Sequence, residues 1–200
     1  MNFLVLLVVT AFLTASATGA NATEKKSTPI TNLSSEVLKA EVNKVCHNGP
    51  NRKPNWGRSA ADLHVRQGWK MVTKGMGDDA SQAFLVALHV GPERPDAYWG
   101  LGVATHLANF PFVTIKSCFN RAFKLLPNVA NPHADYGNVL IQRDLHDEAM
   151  SQFQTALKID NDNIGALVGI ARLYHKTNRL PEAKNIMKRI EEIEKKSKTK

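Results

Sequence analysis

The sequence repeats with a period of 34 or 35 residues, and this period limits the folds open to the chain more than any other feature. An apolar trio spaced i, i+4 and i+7 recurs as Ala80-Phe84-Ala87, Ile115-Phe119-Ala122, Ala149-Phe153-Ala156 and Ala183-Met187-Ile190, at steps of 35, 34 and 34 residues. A small residue upstream recurs as Gly68, Gly102, Gly137 and Ala171, at steps of 34, 35 and 34. The trio spacing is typical of one helix face. Each repeat is therefore predicted to form two helices, and such units stack into a solenoid.

The two markers also locate the single irregularity in the period. The apolar trio takes its 35-residue step just before Ile115, and the small residue takes its 35-residue step just after Gly102. The extra residue therefore lies between these two positions. The segment Asn109-Phe110-Pro111 falls in this interval and is the predicted turn between the two helices. Because insertions are tolerated in turns, the irregularity agrees with the repeat assignment.

The second repeat resembles the tetratricopeptide repeat, whose pattern is W-x2-L-G-x2-Y, then A-x3-F and a closing proline. It matches at Tyr98, Leu101, Gly102, Ile115, Phe119, Ala122 and Pro127. The other repeats depart from the pattern at His64, Gln67, His133 and Asn161. The resemblance covers residues 61–197. It implies an all-α, right-handed solenoid of about four helix-turn-helix repeats, in a protein-binding scaffold that is not an enzyme.

The predicted organisation is a cleaved signal peptide at 1–20, a linker and N-terminal helix at 21–58, and the solenoid at 59–197. Repeat boundaries are predicted near 61–94, 95–129, 130–163 and 164–197. Ser34 is a predicted N-cap, and an apolar stripe of Val37, Leu38, Val42 and Val45 follows it up to Gly49-Pro50. We expect this helix to cap the end of the repeat stack, where a terminal repeat would otherwise expose its apolar face.

The first 23 residues carry no charged side chain. The apolar run Phe3 to Leu13 is too short to span a bilayer, which takes about 20 residues. Small residues follow it, with Ala15-Ser16-Ala17 and Thr18-Gly19-Ala20 as candidate cleavage sites. This pattern predicts a periplasmic or secreted protein with no membrane span after cleavage. An uncleaved anchor or a misassigned start is the alternative, because the segment lacks a positive n-region.

Export would bring the two cysteines, Cys46 and Cys118, into an oxidising compartment. If they pair, the bond would staple the N-terminal helix across the first repeat. Two independent, half-buried thiols are the alternative interpretation. The sequence has no CxxC or CxxCH motif, so neither redox catalysis nor covalent haem attachment is expected.

Metal-binding and catalytic motifs are absent from the sequence. Its seven histidines include no HExxH motif and no i, i+4 pair, and there is no GxSxG, Walker loop or dinucleotide fingerprint. The acidic pairs Asp78-Asp79 and Asp147-Glu148 precede helices, where carboxylates favour the N-terminal dipole. No catalytic residue, metal site or cofactor is therefore expected.

In tetratricopeptide solenoids the first helix of each repeat lines the concave face, so the resemblance identifies candidate partner-binding residues by register. They are Val65, Arg66, Trp69, Val72, Trp99, Val103, His106, Asn138, Arg172 and Lys176. The set predicts a groove that is aromatic and apolar in its N-terminal half and polar, with a basic end, in its C-terminal half. In the alternative interpretation, the N-terminal helix packs into the apolar half and takes Trp69 and Trp99 into the core.

The sequence thus predicts a cell-envelope scaffold that binds a peptide or helix of a protein partner in this groove. One alternative is a structural assembly factor for an envelope machine, such as a pilus, secretion or cytochrome-maturation system. Another is a basic module for anionic lipid or nucleic acid, suggested by the net charge of +8. Lysines at the C-terminal end account for much of that charge and suit a solvated helix end, so nucleic acid is not the expected partner. The family's carboxylate clamp is excluded, because only Asn138 occupies a clamp position and Gly169 replaces the next asparagine.

Overall fold

The computed structural model describes residues 33–48, 58–91 and 94–198. Their regular structure is all helical: α1 Ser35–Asn48, α2 Arg58–Val72, α3 Gly77–Val90, α4 Pro95–Leu107, α5 Phe112–Leu125, α6 Asn131–Ile141, α7 His146–Ile159, α8 Ile164–Lys176 and α9 Leu180–Lys198. The predicted signal peptide, the start of the linker and the Gly49-Pro50 stop lie outside the described residues.

Helices α2 to α9 form four antiparallel pairs, which confirms the predicted all-α repeat solenoid. Each first helix (α2, α4, α6, α8) contacts its own partner, and neighbouring first helices also contact one another. The second helices (α3, α5, α7, α9) lie further apart from one another within the described residues. The first helices therefore form the inner layer of the solenoid and the second helices form the outer layer.

In each of the first three repeats, the core contains one phenylalanine pressed against glycine. Phe84, Phe119 and Phe153 are completely buried. A Cβ added to Gly68, Gly102 or Gly137 would lie 2.5–2.9 Å from the ring of the phenylalanine in the same repeat. Only glycine lets the two helices of a pair come this close. Met187, at the equivalent place in α9, is 50% exposed because the described residues contain no further repeat that covers it.

The turns between paired helices repeat as regularly as the core. Each contains one residue with positive φ, namely Gly75 (71°), Asn109 (55°), Asp144 (58°) and Asn178 (58°). The next residue donates its N–H back to the helix, for example Phe110 to Thr105 O at 2.9 Å, which is a Schellman ending. Helix α5 begins three residues after its positive-φ residue, whereas α3, α7 and α9 begin two residues after theirs. The extra residue of the period therefore lies between Asn109 and Phe112, within the interval predicted from the sequence.

Helix α1 does not cap the end of the stack, contrary to the prediction. It lies across the outer helices α3 and α5, where Leu38, Val42 and Val45 are almost completely buried. Cys46 is bonded to Cys118 of α5, with 4.7 Å between their Cα atoms. The bond therefore staples α1 to the second repeat across the outer helix of the first, as the sequence predicts for a Cys46–Cys118 pair. The physical reason is that, in the groove between two outer helices, the apolar stripe of α1 packs against two helices. At the end of the stack it would meet only one.

Candidate functional site on the inner face

The ten predicted binding residues divide into three groups by exposure. Val65 is 6% exposed and belongs to the core, so it is not available to a partner. Half-buried side chains on the inner helices are Trp69, Val72, Trp99, Val103, His106 and Asn138. The exposed ones are Arg66, Arg172 and Lys176. The inner face thus presents partly open apolar side chains flanked by cations.

Trp69 and Trp99 form the aromatic centre of this face. Their ring centroids lie 4.8 Å apart with the planes inclined by 64°, and Trp69 also meets Phe84 edge-on at 5.5 Å. Helix α1 lies on the outer layer, so it does not cover either ring. Each Trp therefore contributes to packing and remains half-open to solvent. The interpretation in which α1 buries them is wrong.

Polar side chains of the inner face bond across neighbouring repeats. Trp99 Nε1–H donates to Asp135 Oδ2 at 2.8 Å, and His106 Nε2–H donates to Gln142 Oε1 at 3.0 Å. Arg172 donates to Asn138 Oδ1 at 3.2 Å, and Lys176 donates to Ile141 O at 3.0 Å and Asp144 Oδ1 at 2.5 Å. Each bond joins groups 32–36 residues apart, which is one repeat. The cations at the basic end of the groove, Arg172 and Lys176, are therefore already hydrogen-bonded to groups of the preceding repeat.

Burial perturbs two ionisable groups on this face. It raises the pKa of Asp135, and the hydrogen bond from Trp99 only partly opposes that change. It lowers the pKa of His106, which favours the neutral imidazole in its contact with Gln142. The register of the third repeat also predicts Asp135 on the concave face, but Asp135 was not among the ten candidate binding residues. The available signal was its register, because glycine stands at two of the three equivalent places, Gly100 and Gly169, and Arg66 stands at the third.

Other features of the described residues do not coincide with this face. A cavity of about 140 Å³ beside the disulfide is lined by Cys46, His47, Ser117, Asn120, Arg121 and Lys124. Another, of about 180 Å³, lies against α7 and α8. None of the predicted binding residues lines either cavity. The described chain contains no group of three metal-ligating side chains, and none of its helices is long and apolar enough to cross a membrane.

Sequence comparison matches part of the chain to a known family. The sequence model of the tetratricopeptide repeat matches residues 140–198, from the end of α6 to the end of α9. The three glycine-packed helix pairs that precede α8 extend the same architecture towards the N-terminus. The C-terminal part of the chain therefore matches the tetratricopeptide repeat, and the described helix pairs share the fold of a tetratricopeptide repeat solenoid. A search of curated protein sequences gives no match.

Several solved structures with this fold are similar to this chain, at low sequence identity. A crystal structure of MamA is 19% identical with a TM-score of 0.57, over 82% of this chain and 90% of that one. YrrB, described as a TPR protein with an unusual peptide-binding site, is 25% identical with a TM-score of 0.51, over 68% and 69%. The first TPR of Spaghetti (RPAP3), bound to the HSP90 peptide SRMEEVD, is 17% identical with a TM-score of 0.50, over 66% and 96%.

Proposed function

We propose that this protein is a non-enzymatic scaffold that binds an extended or helical segment of a protein partner along the inner face of its solenoid. The observation that carries the proposal is the row of half-buried Trp69, Val72, Trp99 and Val103, which the fold leaves partly open. Aromatic anchors of this kind dominate the energetics of protein interfaces. Exposed Arg66 lies beside them and can pair with an acidic group of the segment.

The similar structures support this use of the fold. YrrB is described as having a peptide-binding site, and the Spaghetti domain holds a peptide. The inner face here differs from a charge-based clamp, because its basic residues Arg172 and Lys176 already bond to Asn138, Ile141 and Asp144. Apolar contact is therefore expected to supply most of the affinity, with charge selecting among segments.

The inner face can be tested with a matched pair of substitutions. Val168 of α8 stands in the register of Trp99 and is 39% exposed, while Val113 of the outer helix α5 is 62% exposed. We expect Val168→Lys to weaken peptide binding about tenfold or more, because it places a charge against an apolar segment. Val113→Lys should bind normally. Neither change should lower the melting temperature much, since both side chains are exposed.

The measurement uses dodecapeptides selected from a random library on oxidised, full-length protein, followed by calorimetric titration of each variant. Equal affinities for Val168→Lys and the unsubstituted protein would place binding elsewhere. A loss of affinity in Val113→Lys equal to that in Val168→Lys would indicate that the peptide binds to the outer layer instead.

We further propose that the protein acts outside the cytoplasm, in the periplasm or beyond the cell. The Cys46–Cys118 disulfide supports this, because structural disulfides persist in oxidising compartments. The uncharged N-terminal segment with its small-residue end gives independent support. Intact-mass analysis of protein from its natural source should show residues near Met1 to Ala20 missing and no thiol open to alkylation. A full-length product with two free thiols would contradict export.

A further inference from the structure

Asp135 stands at a place where two of the other three inner helices have glycine. Two residues before the small residue of each repeat, α2 has the exposed Arg66, α4 has Gly100 and α8 has Gly169. A Cβ added at Gly100 would lie 2.2 Å from the ring of Phe84, and one added at Gly169 would lie 2.3 Å from that of Phe153. Neither place accepts a side chain unless a buried ring moves. The junction between the second and third repeats accepts Asp135, so repeat packing does not require a carboxylate there.

The carboxylate of Asp135 is half-buried and lacks a cationic partner among the described residues. Its Oδ2 accepts the indole N–H of Trp99 at 2.8 Å. Burial raises its pKa, and the bond from Trp99 is the only interaction that lowers it. A desolvated carboxylate is unfavourable unless a charge or several hydrogen bonds compensate it. The inner face therefore contains an acidic group whose electrostatic complement is missing from the described chain.

The surroundings of Asp135 suit a cation. Trp99 holds the carboxylate by its ring edge, and its centroid lies 4.8 Å from that of Trp69, with the planes inclined by 64°. Both rings are half-open to the inner face. The faces of indole rings attract ammonium and guanidinium groups within about 6 Å. A carboxylate bonded to one indole, which packs against a second, thus combines two kinds of attraction for one positive group.

We propose that Asp135, together with Trp69 and Trp99, binds a lysine or arginine side chain of the partner segment. The inference rests on the proposed function, because it assigns the chemistry of the segment that lies on the inner face. A single carboxylate without further acidic neighbours does not suit a divalent metal, which takes several oxygen ligands. A long basic side chain does suit it, since its stem can pack on the indoles while its charge meets Asp135.

The net charge of +8 acts against a basic segment, but only at long range. At physiological ionic strength, charges more than about 8 Å apart are largely screened. Contact between Asp135 and a basic group occurs within hydrogen-bond distance and away from bulk water, where screening is weak. The local attraction is therefore expected to decide which residue of the segment docks at this point.

The experiment compares full-length, oxidised protein with Asp135→Asn and with Glu192→Gln. Asparagine keeps an oxygen for the Trp99 N–H and removes the charge, while Glu192→Gln makes the same charge change at an exposed residue of the outer helix α9. Random dodecapeptides are selected on each protein. Selected peptides are then titrated in their native form and with each basic residue replaced by norleucine.

We expect lysine or arginine to be enriched at one position on the unsubstituted protein and on Glu192→Gln, but not on Asp135→Asn. Norleucine at that position should weaken binding roughly tenfold to the first two proteins, and should not change binding to the third. Equal binding of the two peptide forms to the unsubstituted protein would overturn the proposal, as would a preference that survives in Asp135→Asn. The proposed function would still stand if peptides that carry norleucine bound the protein and if Val168→Lys weakened that binding. It would fail, and this inference with it, if no peptide were selected.

Discussion

Replacement of both Cys46 and Cys118 by alanine should loosen the packing of α1 on the outer layer and lower the stability of the N-terminal half of the solenoid. The bond closes a loop between residues 72 apart in sequence. Removing such a constraint on the unfolded chain lowers the free energy of unfolding by roughly 4 kcal/mol in the chain-entropy account. For a chain of this size the melting temperature should then fall by roughly 10 °C.

The loss should be local. Without the bond, α1 retains Leu38, Val42 and Val45 and two polar contacts to α5, Thr114 to Asn43 at 3.2 Å and Ser117 to His47 at 2.9 Å. Because a solenoid repeat interacts mainly with its neighbours, helices α6 to α9 should hardly be affected. Hydrogen exchange measures this directly: amides of α1 should lose protection while those of α7 and α8 keep it. Unchanged protection of α1 in the alanine variant, or in reduced protein, would show that the staple is dispensable.

Two alanine substitutions in α8, four residues apart, should change stability in opposite directions. A Cβ at Gly169 would lie 2.3 Å from the ring of Phe153, which is completely buried. Forcing such a ring to move typically destabilises by about 1–3 kcal/mol. A Cβ at Gly165 would meet its nearest atoms, on Asn163 and Ala134, at 3.4 and 3.6 Å, which are ordinary contacts. Gly165→Ala should therefore gain up to about 1 kcal/mol from helix propensity.

The comparison has an internal control, because both variants make the same chemical change in the same helix. Thermal melts followed by circular dichroism, together with urea titrations, would measure the two shifts. We expect Gly169→Ala to melt below the unsubstituted protein and Gly165→Ala to melt at or above it. Stabilisation by both alanines would show that Phe153 has room to move, and that the glycine is not required for close packing of the third and fourth repeats.

Much of the fold follows from short-range pattern. The spacing of Phe84, Phe119 and Phe153, and of the small residues opposite them, predicts paired helices, because each ring needs a glycine-sized gap one helix away. The location of the extra residue also follows from sequence, since two markers within one repeat bracket it. The inner-face register is predictable for the same reason, as a helix fixes which residues share a face.

The candidate site was only partly predictable. Register places Trp99 and Asp135 on the inner face, but it does not show that the indole N–H bonds to the carboxylate. That bond depends on how far the third repeat is displaced from the second, which is a property of the junction. Likewise, register places Arg172 and Lys176 on the groove, but it does not show that each forms hydrogen bonds to the preceding repeat.

The sequence by itself determined the period, the helix pairs, the turn positions and the face on which each side chain lies, because these depend on contacts within about one repeat. Tertiary structure alone decided where α1 lies, that Cys46 meets Cys118, and that Val65 is core while Trp99 is half-open. These outcomes join groups from separate repeats or from outside the repeats. Their distances depend on how the units are displaced and rotated against one another, and a local pattern of residues does not encode that arrangement.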